Sequence, residues 1–268
     1  MSSFATEARA LERARPLPAR LRASARRAAL GALSRLPRSS GPGVRIVHYH
    51  YVFDDEREHF AEQLRFLARE FSPVSLSQAV ERLRLGQASG DEVVVTFDDG
   101  FRNQLDNAAP LLAEHGFSAC FFLVTNLLDA NADQARAFSH GKLHLPLPVE
   151  PLDWGGASRL LELGHEIGSH TRSHPNLTSL APDALLDELA SSREQLSKRL
   201  GAVRHVSAPY GDRVRFSEAV AGAARTAGYE SCASAIRGVN RSALDLYSLH
   251  RHHLSASWPL RELGYFLA

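Results

Sequence analysis

The sequence has few cysteines, little net charge and no long apolar run, and each absence excludes a class of protein. Only two cysteines occur, Cys120 and Cys232, both inside predicted strands, so we expect free buried thiols and no disulfide framework. A formal net charge of +1 gives no overall basis for nucleic-acid binding, which needs a clustered basic surface. No stretch has the apolar length of a membrane span, and the N-terminus lacks the apolar core of a secretory signal. We therefore expect a cytoplasmic protein.

Residues 1–43 differ in composition from the rest of the chain. They contain nine Arg and two Glu but no Lys or Asp, and they end in a Pro- and Gly-rich stretch. Most of the Arg residues between positions 20 and 35 lie away from one predicted helical face, which is formed by Leu21, Ala25, Ala28, Ala32, Leu33 and Leu36. We predict a basic extension and linker over residues 1–43, and one domain over residues 44–268. Attachment to an anionic membrane surface and a merely solvated leader both remain open.

Predicted strands and helices alternate after residue 43. The strands are predicted at residues 44–47, 93–97, 118–124, 165–168, 203–208, 229–233 and 246–249. Ser77 is the expected N-cap of a helix that ends near Leu85. Residues 126–151 interrupt the alternation and contain three prolines, so we predict a long functional loop or lid there. About seven strand–helix units predict an α/β barrel-like domain.

Two adjacent carboxylates follow the most apolar of these strands. Residues 93–97 read Val-Val-Val-Thr-Phe, as in a strand covered on both faces, and they run directly into Asp98, Asp99 and Gly100. Neighbouring residues on a strand point to opposite sides, so one carboxylate can bind a metal while the other handles a proton. An ordinary Asp-Asp-Gly turn is the alternative.

A pair of histidines follows a later predicted strand. His170 and His174 are four residues apart, a spacing that allows two imidazoles to bind one ion. In an α/β barrel all strands end at the same face, so the acid pair and the histidine pair would meet there. The first strand also ends in a ring-rich stretch, residues 48–51, that includes His50.

These motifs resemble the polysaccharide deacetylases that share the NodB-homology domain, carbohydrate esterase family 4. Residues 96–100, Thr-Phe-Asp-Asp-Gly, are similar to the first motif of that family, and residues 166–175 to the second. The resemblance covers roughly residues 44–268 and implies a distorted (β/α)₇ TIM-like barrel with a divalent metal in its mouth. By position, it implies Asp99, His170 and His174 as metal ligands and Asp98 as the catalytic base.

The third motif departs from the family pattern. The family typically has Arg-x-Pro-Tyr, whereas residues 207–210 read Ser-Ala-Pro-Tyr, so the Arg that steadies the base is missing. Arg251, after the last predicted strand, is our candidate replacement. The resemblance assigns the backbone N–H of Tyr210 to the oxyanion. The family's general acid is usually a His after the last strand, which leaves His250, His252 and His253 open; we name His252 among them, with His50 as a further candidate.

The sequence therefore predicts a metal-dependent N-deacetylase. The expected substrate is an amino sugar, in a glycan or in a lipid- or nucleotide-linked precursor, that carries an acetyl, formyl or other small acyl group. Zn²⁺ is the expected ion, with Co²⁺, Ni²⁺, Mn²⁺ and Fe²⁺ as alternatives. Two other functions remain open: a deacylase or cyclic-amide hydrolase of a nonsugar metabolite, and a noncatalytic glycan-binding protein.

Overall fold

A computed structural model describes residues 4–18, 20, 41–88, 90–243 and 246–267. The strands are β1 (Gly43–Tyr49), β2 (Ser72–Pro73), β3 (Asp91–Phe97), β4 (Ala119–Leu123), β5 (Glu166–Ser169), β6 (His205–Ser207), β7 (Ser231–Ala233) and β8 (Arg251–His253). The helices are α1 (Ala8–Ala14), α2 (Arg57–Glu70), α3 (Leu76–Arg84), α4 (Ala109–Glu114), α5 (Ala132–Gly141), α6 (Trp154–Glu162), α7 (Pro182–Leu200), α8 (Glu218–Thr226) and α9 (Leu260–Leu267). The predicted amphipathic helix between Leu21 and Leu36 lies outside the described residues.

Seven strands form one curved sheet in the order β7-β6-β5-β4-β3-β1-β8, and the short β2 pairs with β3. All of these pairings are parallel. The two ends of the sheet approach each other, because Leu249, just before β8, forms a parallel bridge with Ala233 of β7. The sheet is thus a nearly closed barrel surrounded by helices, and the predicted fold class is confirmed.

Alternate residues of the strands enter two different apolar clusters. Val93, Val95 and Phe97 belong to the cluster between the sheet and the outer helices. Val94 and Phe122 belong to a second cluster, which also contains the apolar face of α3. Burial on both faces explains why β3 reads as an uninterrupted apolar run. α3 lies at the end of the barrel where the strands begin, because its Ser77 contacts Glu166 and His205, the first residues of β5 and β6. The functional site of such a barrel is expected at the opposite end, where the strands finish.

Three local predictions need correction. The last strand is Arg251–His253 rather than residues 246–249, because a buried partner makes a charged residue acceptable inside the barrel. Ser75 caps α3 instead of Ser77, since the Ser75 hydroxyl accepts a hydrogen bond from the N–H of Gln78. The region 126–151 contains a regular helix, α5, capped by the side chain of Asn131.

Both cysteines are free and buried, as predicted. No helix within the described ranges is long and apolar enough to cross a membrane.

Candidate active site

The chain turns sharply where β3 ends, and this turn separates the two carboxylates. Asp98 continues the strand, with its N–H donated to the carbonyl oxygen of Tyr49 at 3.0 Å. Asp99 has φ of +74° and Gly100 has φ of +84°. A Cβ on Gly100 would lie 2.9 Å from a Leu123 methyl carbon, so the turn needs glycine for its conformation and for space. As a consequence, the side chain of Asp98 contacts Arg251, whereas that of Asp99 lies beside His170 and His174.

His170 and His174 are held by a loop in an unusual backbone conformation. Thr171 and His174 have φ values of +67° and +56°, which cost energy for residues with a Cβ. Side-chain bonds stabilise the loop: the Ser169 hydroxyl accepts from the N–H of Thr171, and the Thr171 hydroxyl accepts from the N–H of His174. Such backbone strain is found mostly at functional sites. In this loop the strained conformation places both imidazoles beside Asp99.

Asp99, His170 and His174 meet in a buried cluster. The Asp99 Oδ1 lies 3.5 Å from His170 Nε2 and 3.4 Å from His174 Nε2. Two ligands of a tetrahedral Zn²⁺ with bonds near 2.1 Å are separated by about 3.4 Å, so the observed spacing matches an ion placed between these atoms. Each of the three residues is at most 2% exposed.

The protonation states also favour a cation at this cluster. His170 Nδ1 lies 2.9 Å from the carbonyl oxygen of Ser207 and donates to it, which leaves the lone pair of Nε2 toward Asp99. Burial lowers the pKa of His170 to about 4, so the ring is neutral. Within the described part of the chain neither carboxylate oxygen of Asp99 has a hydrogen-bond partner. Buried carboxylate oxygens without a hydrogen-bond partner are stabilised by a nearby positive charge. One carboxylate and two imidazoles are also common ligands of a divalent metal ion, so these three side chains fit such an ion.

Asp98 faces the barrel interior and pairs with Arg251. The two terminal nitrogens of Arg251 lie 2.8 Å from the two carboxylate oxygens of Asp98, which is a bidentate pair. One of those nitrogens also donates to the Ser207 hydroxyl at 2.7 Å. Burial alone would raise the pKa of Asp98, but Arg251 outweighs burial and holds this pKa well below its usual range. The structure thus brings Arg251 to the carboxylate that the sequence selected as the base.

Tyr210 lies at the edge of the same cluster. Its φ is +62°, and its ring stands edge-on to His174 with centroids 4.8 Å apart. Its hydroxyl donates to the carbonyl oxygen of Lys142 at 3.2 Å, which connects this loop to the end of α5. The predicted oxyanion residue is therefore beside the candidate metal ligands.

His50 and His252 are placed differently. The rings of His48, His50 and His253 form a triangle with centroid distances of 5.1–5.6 Å, and their ligating nitrogens lie within 4.8 Å of one another. His252 projects from the other side of β8, since its neighbours are Arg45, Arg237 and Phe266 rather than the site residues. The structure does not bring His252 to the site; alternation along β8 puts His253 there instead.

Sequence reasoning missed one contributor and left another unresolved. The sequence shows Ser207 only as the absence of an arginine, yet its small side chain leaves room for the Arg251 guanidinium and accepts a hydrogen bond from it. His253 is one of the candidate histidines after the last strand, and it is favoured over His252 because residues 251 and 253 of one strand must share a face. That alternation was the signal available in the sequence.

The chain is similar to known polysaccharide deacetylases. The sequence profile of the polysaccharide deacetylase family matches residues 86–232, more than half of the chain. YxkH of Bacillus subtilis is 27% identical over 176 residues, which cover 65% of this chain and 56% of YxkH. The peptidoglycan-N-acetylglucosamine deacetylase of Bacillus cereus is 31% identical over 123 residues, which cover 45% of this chain and 37% of that enzyme. The chain thus spans about half of one curated relative and about a third of the other.

A solved structure shares the fold. The deacetylase PplD of Streptococcus pyogenes, determined in complex with acetate, superposes with a TM-score of 0.70 at 20% identity. The match covers 85% of this chain and 99% of PplD. Taken with the profile match over residues 86–232, the chain belongs to the polysaccharide deacetylase family.

Proposed function

We propose that the protein is a metal-dependent hydrolase that removes an acetyl or other small acyl group from the nitrogen of an amino sugar. The observation that carries this proposal is the cluster of Asp99, His170 and His174, in which both carboxylate oxygens lack a hydrogen-bond partner in the described structure. A divalent ion held there would supply Lewis acidity for the attacking water and the amide carbonyl. Zn²⁺ suits one carboxylate and two imidazoles, and it is the ion we assign.

Asp98 is the general base in this proposal. Its carboxylate follows directly after β3 and adjoins the metal ligand Asp99, so it can accept a proton from a water molecule in the cleft. Arg251 holds both oxygens of Asp98 in place through its two bonds of 2.8 Å. A base that is fixed in orientation does not have to reorganise when the proton is transferred.

The departing amine needs a proton, and the oxyanion needs a donor. We assign the proton to His50, which is half-buried beside the more exposed His253 and therefore reaches both the site and solvent. Imidazole is the side chain most often used for such a transfer. We assign the N–H of Tyr210 to the oxyanion, because this residue adjoins His174.

The substrate class rests on the relatives. The Bacillus cereus relative is named for N-acetylglucosamine units of peptidoglycan, which are N-acylated amino sugars. We extend that class, but not the particular polymer, to this chain. Cytoplasmic location stays a prediction. Membrane contact through the Arg-rich segment also stays a prediction, and residues 21–40 of that segment lie outside the described residues.

A panel assay tests the function. Purified protein is incubated with N-acetylated and N-formylated amino sugars and with nonsugar amides, before and after chelation and after readdition of Zn²⁺. We expect acetate or formate from the sugars only, loss of release on chelation, and recovery with Zn²⁺. Release that a chelator does not change, or faster release from nonsugar amides, would contradict the proposal.

A further inference from the structure

Three histidines at the mouth of the barrel form a second cluster, separate from the candidate metal ligands described above. His48 lies in β1, His50 follows β1 directly, and His253 is the last residue of β8. Residues two apart on an extended chain share a face, so His48 and His50 lie on the same side of the sheet. β1 and β8 pair in parallel, and the residue opposite His48 is His253. The register of two neighbouring strands therefore brings the three imidazoles together.

The ring nitrogens of this histidine cluster are close enough to share one ion. One potential ligand nitrogen of each histidine lies within 4.8 Å of those of the other two. Nitrogens bound to one tetrahedral Zn²⁺, with bonds near 2.1 Å, are about 3.4 Å apart. Small side-chain rotations would close that difference. Three imidazoles suit Zn²⁺, Cu²⁺ or Ni²⁺, whereas Mg²⁺ and Ca²⁺ prefer oxygen ligands.

His48 gives an independent indication of a ligand. It is 3% exposed, and its Nδ1 has no hydrogen-bond partner within the described part of the chain. A buried polar atom without a partner calls for one, and a bond to a metal ion would satisfy it. Burial, and then the charge of Arg251, lower the pKa of His48 well below its usual range. The ring is therefore neutral, which is the form of imidazole that binds metals.

A cavity gives an ion access to the histidine cluster from solvent. Its volume is about 280 Å³, and His50 and His253 line it. Ala8 and Leu11 of α1 also line it, so part of the predicted N-terminal extension lies over the mouth of the barrel. His253 is exposed, His50 is half-buried and His48 is buried. An ion can thus pass from solvent to the buried ligand without unfolding of the domain.

The histidine cluster shares His50 with the proposed mechanism. A ring nitrogen that binds a metal ion cannot carry the proton that the departing amine needs. An ion in this cluster would therefore block proton transfer from His50, while the candidate ligands of the catalytic ion stay in place. Occupation of the cluster would slow the reaction without displacing that ion.

We propose that His48, His50 and His253 form a second site for a transition-metal ion such as Zn²⁺, and that an ion bound there inhibits deacylation. The inhibition rests on the proposed function, since it acts through the proton donor assigned to His50. This site is the weaker of the two, because no carboxylate belongs to it and Arg251 places a positive charge within electrostatic range of His48. It fills only when Zn²⁺ is in excess, so purified protein keeps only the ion bound at Asp99.

Zinc binding to the metal-free protein tests the site. Equilibrium dialysis against excess Zn²⁺ should give two ions per chain for the wild type and one each for His253→Gln and Asp99→Ala. The double variant should hold almost none. His59→Gln is the matched control and should hold two, because His59 is an exposed histidine of α2 that lies outside the cluster.

The comparison of wild type with His253→Gln decides the result. Equal zinc content in these two proteins at excess Zn²⁺ would overturn the second site. If His253→Gln does not fold, His50→Gln replaces it in dialysis, with the same expected loss of one ion.

Acetate release tests the inhibition. Wild-type protein carrying one Zn²⁺ is assayed on oligomers of N-acetylglucosamine while the concentration of Zn²⁺ is raised. When the second site is full, we expect turnover to fall by about 100-fold, a typical contribution of a general acid. His59→Gln should be inhibited like the wild type, whereas His253→Gln should keep the rate that it has with one Zn²⁺. Equal inhibition of wild type and His253→Gln would show that excess zinc acts elsewhere, and the inhibitory role would be wrong.

The two measurements separate this proposal from the proposed function. If His253→Gln binds one ion fewer than the wild type but no substrate yields acetate, the second site stands and its inhibitory role falls with the proposed function. If wild-type protein releases acetate with one Zn²⁺ and neither binds a second ion nor responds to excess Zn²⁺, the proposed function stands and the second site is wrong.

Discussion

The ion pair between Arg251 and Asp98 is a buried contact whose removal should destabilise the protein. Arg251 is 1% exposed and Asp98 is 3% exposed, and two hydrogen bonds of 2.8 Å join them. Removing one partner of a buried pair leaves an uncompensated charge, which costs about 3–5 kcal/mol. Met has a length similar to that of Arg but no charge. We therefore expect Arg251→Met to lower the free energy of unfolding by about 3–5 kcal/mol in urea denaturation.

Arg204 provides a matched control for this prediction. Its guanidinium also makes two bonds to one carboxylate, that of Glu230, at 2.7 and 2.8 Å. These side chains are 46% and 32% exposed, so solvent screens the pair. Arg204→Met should cost less than about 1 kcal/mol. The reasoning would be refuted if Arg251→Met cost no more than Arg204→Met.

Two further predictions concern other parts of the fold. Burial raises the pKa of the Glu56 carboxyl to about 7, so the folded state binds a proton there more tightly than the unfolded state does. The stability that this proton contributes is fully present below about pH 4.5 and is lost as the pH rises through about 7. Glu56→Gln should remove up to about 3 kcal/mol of that pH dependence, and equal slopes for both proteins between pH 5 and 8 would contradict the assignment. Gly168→Ala should lower the free energy of unfolding by about 1–3 kcal/mol, because the added Cβ would overlap the Phe122 ring. An unchanged melting temperature would contradict this prediction.

The alternation of strands and helices in the barrel was predictable from the sequence. Residues 93–97 form a doubly buried strand because four of the five are apolar and the hydroxyl of Thr96 donates to the carbonyl oxygen of Val47, and β3 lies close to its predicted position. The N-cap of α3 was harder to predict, because Ser75 and Ser77 lie two residues apart and both side chains suit a cap; the prediction of Ser77 was wrong.

The three residues of the candidate metal cluster were predicted to meet because they follow strands, and parallel strands end at one face. Of the partners of Asp98, Arg251 was predicted from the arginine missing in the third motif rather than from its own surroundings, and Ser207 was not predicted. Arg251 lies inside β8, where a charged residue argues against a buried strand unless its partner is already known. The contact depends on a separation of 153 residues in sequence and on the small side chain of Ser207, which local patterns do not encode.

The contribution of the N-terminal segment was not predictable at all. Its composition indicated an appendage, and no motif in residues 5–15 points to the barrel mouth. Ala8 and Leu11 contact residues far away in the sequence, and only three-dimensional packing reveals these contacts.

Metal content tests the central claim most directly. Elemental analysis of the purified protein should find one divalent ion per chain in the wild type and almost none in Asp99→Ala. Asp98→Asn should keep its ion, because that carboxylate faces Arg251 rather than the histidines. One ion per chain persisting in Asp99→Ala, or an ion lost in Asp98→Asn that is otherwise folded, would contradict the account.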